Sequence, residues 1–352
     1  MLPGVLLLML LLTFADTARA TFSIVAHDAQ TGELGVAVQS RAFSVGAGVP
    51  WAEAGVGAVA TQSATNESFG PRGLSLLRSG YTASEALQIL LGADPGRENR
   101  QVGMVDAQGR AATFTGERCG SWAGDSTQSG LAVQGNLLAG ADVVNNMVTA
   151  YRATAGEMAE KLIAALHAAQ AAGGDKRGQQ SAALLIVRPS EEFPEYRTRY
   201  IDLRVEDHPQ PIKELERLFR IHQASDLLEA HLRYAKDYDG RGEVEAAKRE
   251  RMHVGTALKY TLTQTGASAS TLNSLAWTCA TADLYLQESL EAAERAVQLE
   301  PDNSGILDTL AEVHFRMGNT GEALRVIDRA LEIAPDDPYL QGQRLRFVGN
   351  KE

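Results

Sequence analysis

A threonine that becomes the first residue of a mature chain carries a nucleophile and a base together. Its hydroxyl can attack a carbonyl. Its free α-amine, with an ordinary pKa of roughly 8, can take the hydroxyl proton and later return it to a leaving amine. Thr21 of this 352-residue chain stands where that chemistry would begin. It directly follows Ala18-Arg19-Ala20, the small-x-small pattern of a signal-peptidase site. Ahead of that lies a run from Val5 to Phe14 that is apolar except at Thr13, too short to span a bilayer as a helix. The run has no Lys or Arg before it, and no cysteine follows it to carry a lipid. The expectation is a signal peptide over residues 1–20, export to the periplasm or medium, and a mature chain starting at Thr21. The plainer alternatives are an uncleaved anchor, and a threonine that is there because strands favour it.

Four further residues have the chemistry to assist. Arg41 ends the string Gln39-Ser40-Arg41 and could lower the pKa of the Thr21 amine or hydroxyl through its positive field. Asn66 and Asn136 are neutral amides able to donate into an oxyanion site, and Gly135 would let a ligand approach the backbone beside Asn136. Asp175 lies with Arg177 in a glycine-rich loop ahead of an apolar run. Each has a structural alternative: a solvated strand-end arginine, turn-stabilising asparagines, and an Asp175–Arg177 pair. Trp51 and Trp122 read as core or pocket wall. No phosphate-binding loop, nucleotide fingerprint or metal-ligand spacing is present, so no cofactor or metal is expected. The net charge of -11 argues against nucleic acid as a partner. Cys119 and Cys279 read as two separate buried thiols, with a disulfide between them as the alternative.

These residues must be positioned by the elements around them. Residues 21–27 and 34–40 read as strands flanking the turn-rich Asp28-Ala29-Gln30-Thr31-Gly32-Glu33. Residues 56–62, 101–106, 110–115, 131–136, 181–188 and 199–205 add strands. Residues 73–91 read as helical, restarted by a capping box at Thr82 and Glu85. An alanine-rich helical stretch runs over 141–172 with a break near Gly156. Hairpins grouped around helices favour antiparallel sheets with helices packed outside, an α+β arrangement that a four-layer αββα sandwich fits.

Asp207-His208-Pro209-Gln210-Pro211 reads as a linker between a domain over 21–206 and a helical domain over 212–352. Within the second, Glu294-Arg295-Ala296 with Pro301-Asp302 recurs as Asp328-Arg329-Ala330 with Pro335-Asp336, 34 residues later. That is the tetratricopeptide period. Repeats are expected over about 271–303 and 304–337, with a degenerate copy over 227–258. Ala276, Ala296, Ala311, Ala323 and Ala330 fall where paired helices cross. Such an array offers a groove to a protein or peptide partner.

Several strings carry a family resemblance. Thr21-Phe22-Ser23-Ile24-Val25-Ala26, Gly32-Glu33-Leu34-Gly35-Val36-Ala37-Val38 and Gly55-Val56-Gly57-Ala58-Val59-Ala60-Thr61-Gln62 are the first three. Phe69-Gly70-Pro71-Arg72-Gly73, Val133-Gln134-Gly135-Asn136, Gly173-Gly174-Asp175-Lys176-Arg177-Gly178 and Asp202-Leu203-Arg204-Val205 continue the set. Over about residues 21–218 the chain resembles the bacterial family catalogued as domain of unknown function 1028. The resemblance implies the N-terminal-nucleophile hydrolase fold and, by analogy with such sandwiches, a homo-oligomer. Gln39-Ser40-Arg41 also looks like the Asp-Ser-Arg segment of proteasome-type threonine proteases, with Gln39 in place of the aspartate. No lysine occurs from Thr21 to Glu160, so the lysine that tunes the proteasome nucleophile has no counterpart there. Two functions remain open: an exported amidohydrolase acting on a small amide or peptide-like bond, and a non-catalytic binding or scaffold protein acting through its repeats. Intact mass and N-terminal sequencing of the exported protein check the first step. The expected chain starts at Thr21 with an unmodified amine, and any other start removes the base.

Overall fold

Seven residues of almost wholly buried chain, Thr21–His27, form the strand β1 on which the first half of the molecule is built. The computed structural model describes residues 21–189 and 198–349, so the expected signal peptide lies outside the described residues. The chain divides into a unit ending at Glu216 and a unit starting at Arg217.

In the first unit, β1 pairs antiparallel with β2 (Leu34–Ser40) on one side. On its other side it pairs antiparallel with the strand Leu131–Asn136. In chain order the remaining strands are β3 (Pro50–Glu53), β4 (Gly57–Ser63), β5 (Arg100–Asp106), β6 (Ala111–Thr115), β7 (Ala123–Gln128), then β8 (Leu131–Asn136), β9 (Ser181–Val187) and β10 (Arg199–Val205). They make a six-stranded sheet in the order β10-β9-β2-β1-β8-β7 and a four-stranded sheet in the order β3-β4-β5-β6. Every pairing is antiparallel.

The two sheets face each other. Val25, Val36, Val38 and Ala132 of the larger sheet cluster with Ala58, Ala60 and Val105 of the smaller. The outer face of the smaller sheet is covered by α1 (Phe69–Arg78) and α2 (Ala83–Gly92), whose Leu74, Leu77, Ala86 and Leu90 pack with Val59, Val102 and Met104. The outer face of the larger sheet carries α3 (Ala141–Ala153) and α4 (Met158–Ala171). β1, β2, β8 and β9 are therefore buried on both faces. This explains their near-continuous small and apolar sequence, where a half-exposed strand would alternate.

Local chemistry sets the boundaries. Thr82 and Glu85 make the reciprocal capping box that starts α2. Gly35 leaves the room that Met158 and Leu162 of α4 occupy against β2. β3 and β7 are absent from the sequence reading. The first has four residues; the second, Ala-Gly-Asp-Ser-Thr-Gln, is an edge strand with little apolar signal. The helical break expected near Gly156 separates α3 from α4.

Pro211, read as the end of the linker, is the first residue of α5 (Pro211–Gln223), where a missing N–H leaves no bond unmade. The second unit continues with α6 (Asp226–Gly240), α7 (Val244–Thr263), α8 (Ala269–Thr281), α9 (Leu286–Leu299), α10 (Ser304–Arg316), α11 (Thr320–Ile333) and α12 (Pro338–Gly349). The helices pair in sequence: α6 with α7, α8 with α9, α10 with α11. Ala276, Ala296, Ala311, Ala323 and Ala330 are fully buried at these crossings. Gly318 turns between α10 and α11 at φ 81, a backbone angle that glycine adopts without Cβ strain. Both cysteines are free and buried, and burial pushes the Cys279 thiol up to about 12.

Asp308 of α10 is buried and accepts a hydrogen bond from Gln343 Nε2 of α12 at 3.3 Å. Burial first, with the Glu312 charge adding to it, pushes its carboxyl up to about 6 from 3.8. The folded chain thus holds a proton that the unfolded chain releases at lower pH. This contribution to stability is fully present below the unfolded pKa and is lost as pH rises through about 6. Asp308→Asn should match the wild type near pH 4 and melt at higher temperature at pH 8. Identical melting temperatures of the two chains at pH 8 would contradict this.

Candidate functional site

The head of β1 closes the floor of a cleft of about 310 Å³. Thr21 and Ser40 lie at its base, one wall is the 42–49 segment, and the other is 63–67. Register explains the pairing at the base: Thr21 stands directly opposite Ser40 on β2 and Asn136 on β8. Thr21 Oγ1 donates to Ser40 Oγ at 3.0 Å, which fixes the hydroxyl in direction. Gln62 Nε2 of the facing sheet donates to the Thr21 carbonyl at 3.2 Å.

Each wall is held by polar ties. Asp175 is buried, and its Oδ2 accepts the Arg41 backbone N–H at 2.9 Å while Arg177 chelates it from the side. Ser181 Oγ donates to the Ala42 carbonyl at 2.5 Å and accepts from Val45 N at 3.1 Å. Trp51 Nε1 donates to the Gly48 carbonyl at 3.0 Å, so this tryptophan is a strut behind the wall. Across the cleft, Asn66 Oδ1 accepts from the Ser68 hydroxyl at 2.7 Å, and Asn66 Nδ2 donates to Asp94 at 3.3 Å. Arg100 ties Asp94 to the Ala64 carbonyl, and its hydrogen bond holds the Asp94 carboxyl below its ordinary pKa.

The five residues singled out by type therefore divide. Thr21 lines the cleft. Arg41 is exposed, donates to the Gln179 carbonyl at 3.3 Å, and is not among the residues lining the cleft. Its backbone N–H, not its charge, is what ties it to the site through Asp175. Asn66 acts as a turn and helix-start residue, and Asp175 as an anchor. Asn136 is fully buried with its Nδ2 on Gln101 Oε1 at 2.9 Å. The space that Gly135 was expected to open for a ligand is taken by Leu138 and Phe22.

Two serines were passed over. Ser40 sits against the Thr21 hydroxyl. Ser63 ends β4 in the left-handed region at φ 71, a conformation that serine holds only where its surroundings enforce it. Its Oγ is sealed from solvent. The Cys119 thiol beside it donates to the Arg100 carbonyl at 3.2 Å. Ser44, also lining the cleft, is left-handed at φ 57.

Behind the floor lies a buried amide network that the sequence reading also missed. Ser23 Oγ donates to Gln62 Oε1 at 2.6 Å and accepts from Gln134 Nε2 at 2.6 Å. Gln62 Nε2 also donates to Gln101 Oε1 at 2.8 Å, and Gln101 Nε2 to the Gly135 carbonyl at 2.8 Å. The available signal was a glutamine inside each of three small or apolar strand runs. Among the described residues no three His, Cys, Asp or Glu side chains converge as a metal site.

The Gln134 side chain fills the space above Gly103 of β5, and a Cβ at that glycine would overlap its amide. Gly103→Ala should cost about 1–3 kcal/mol by overpacking and by displacing a buried hydrogen-bonding group. Urea unfolding checks it; an unchanged midpoint would mean that the sheets do not meet at this point.

A family model described as a family of unknown function (DUF1028) matches residues 21–215. A tetratricopeptide-repeat model matches residues 286–344. Among solved structures, protein SPO2555 from Silicibacter pomeroyi, described with the family model DUF1028, is 33% identical with a TM-score of 0.54. That match covers 59% of this chain and 91% of the other. The C-terminal TPR-containing domain of Plasmodium falciparum PFL2275c is 14% identical over 37% of this chain and 89% of its own, and its TM-score of 0.26 carries no argument. No curated protein matches the chain.

Proposed function

The chain belongs to the DUF1028 family of unknown function, and from that premise we propose that it is an exported N-terminal-nucleophile amide hydrolase acting through Thr21. This reading takes the two facing sheets, with α1 and α2 outside one and α3 and α4 outside the other, as the four-layer αββα sandwich of that class. The observation that carries it is the position of Thr21. It heads a central strand, its hydroxyl meets Ser40 on the floor of a polar cleft, and a signal-peptidase pattern immediately precedes it.

The reaction balances with these groups. Thr21 Oγ attacks the amide carbonyl carbon as its proton passes to the freed α-amine. The oxyanion is met by a hydroxyl lining the cleft, Ser44 or Thr65. Such a donor is worth roughly 10²–10³ in rate. The C–N bond then breaks, the leaving nitrogen takes the proton from the α-amine, and an ester on Thr21 remains. Water attacks that ester, its proton passes by way of the α-amine to Oγ, and the carboxylic acid leaves. Ser40 keeps the Thr21 hydroxyl aimed.

Tetratricopeptide repeats generally mediate protein–protein interactions, and the second unit is an array of that kind. Thr21→Ala in the mature chain should lower amide hydrolysis at least about 10³-fold, and Thr21→Ser should retain it. Hydrolysis unchanged by Thr21→Ala would leave a catalytically silent scaffold as the better reading.

A further inference from the structure

The residues lining the cleft above Thr21 are small, apolar or hydroxylic with one exception. Glu67, on the 63–67 wall, is the lining residue that carries a charge at neutral pH. Its carboxylate reaches toward the opposite wall, where a Cβ at Gly48 would come within 3.0 Å of Glu67 Oε1. Glycine at position 48 thus leaves the carboxylate its place.

Glu67 is exposed, and no hydrogen bond or ion pair ends on its carboxylate among the described residues. Four cations of the neighbouring elements are engaged elsewhere. The Arg41 guanidinium donates to the Gln179 carbonyl, Arg100 is held by Asp94, Arg177 by Asp175 and Arg204 by Asp202. In the active form, where the Thr21 α-amine is neutral as the base, this carboxylate beside a cleft with no other ionisable side chain sets a negative potential there. The complementary occupant is a cation. The volume, about 310 Å³, is at the small end for ligand pockets and fits a group of amino-acid size.

We propose that Glu67 determines specificity, and that the cleft takes small amides whose acyl part carries an ammonium or guanidinium group. This rests on the hydrolase reading above and adds the substrate class to it. Because Glu67 is exposed, the selection is moderate and sensitive to salt.

The test has one arm that needs turnover and one that does not. In the first, the chain beginning at Thr21 is given acyl 4-nitroanilides of equal length ending in an ammonium, a methyl or a carboxylate. In the second, the Thr21→Ala chain is titrated calorimetrically with the same compounds. The ammonium probe should exceed the methyl probe by about 3- to 5-fold in kcat/KM, carried by KM, and the carboxylate probe should rank last. The ratio should shrink several-fold at 1 M salt, fall to near 1 in Glu67→Gln and invert in Glu67→Lys. Calorimetric affinities should follow the same order. A ratio unmoved by Glu67→Gln, or a preference for the carboxylate probe, overturns the proposal. Charge-selective binding without turnover supports the Glu67 assignment while defeating the Thr21 mechanism. Turnover without charge selection does the reverse.

Discussion

Between the two sheets, a layer of fully buried side-chain amides finds most of its hydrogen bonds from within the protein. Gln62, Gln101, Gln134 and Asn136 are fully buried, and a buried amide without partners costs more than most single interactions return. Their N–H groups donate across the interface to one another, to Ser23 and to the carbonyls of Thr21 and Gly135, while Gln134 Oε1 and Asn136 Oδ1 have no partner among the described residues. The consequence reaches the site. Gln62 holds the Thr21 carbonyl from the opposite sheet, so the head of β1 is fixed by its ladder neighbours and by the facing layer together.

The same economy governs the cleft walls. The 41–49 segment has no regular ladder beyond a single 3-10 turn, Val45–Ala47, and depends on Asp175, Ser181 and Trp51 for its shape. The 63–66 wall depends on Arg100, Asp94 and Asn66. Charged and amide groups that look catalytic by type are spent on holding loops. The groups left facing the cleft are mostly hydroxyls: Thr21, Ser40, Ser44 and Thr65. That division suits chemistry in which the base belongs to the nucleophile's own residue and the rest of the site orients and donates.

How far this was legible in the sequence follows from the physics of each part. β1, β2, β8 and β10 were bounded to the residue, because their runs end at sharp turn or glycine signals. α2 was marked by its capping box and the repeats by their 34-residue period. β7 was invisible because its polar residues lie at a sheet edge facing solvent. Among site residues, Thr21 could be found because its chemistry depends on sequence position. Asn66, Asn136 and Asp175 could not be sorted, since an amide that caps a turn and one that meets a substrate have the same local sequence. Ser40 and Ser63 were missed for a related reason. Strand-end serines are common, and only the register and the left-handed φ at Ser63 distinguish them here.

The central claim is that the base is the α-amine of Thr21, and it can be separated from the rest of the site. The measurement is hydrolysis of a panel of small amides by two purified chains: one beginning at Thr21, the other carrying Ala20 in front of it. The extension leaves the hydroxyl, Ser40 and the cleft residues in the chain, turns the Thr21 nitrogen into a non-basic amide and moves the free amine onto Ala20. The account predicts turnover by the first chain and none above background by the second. Equal turnover by both, or no turnover of any amide by the chain beginning at Thr21, would contradict it.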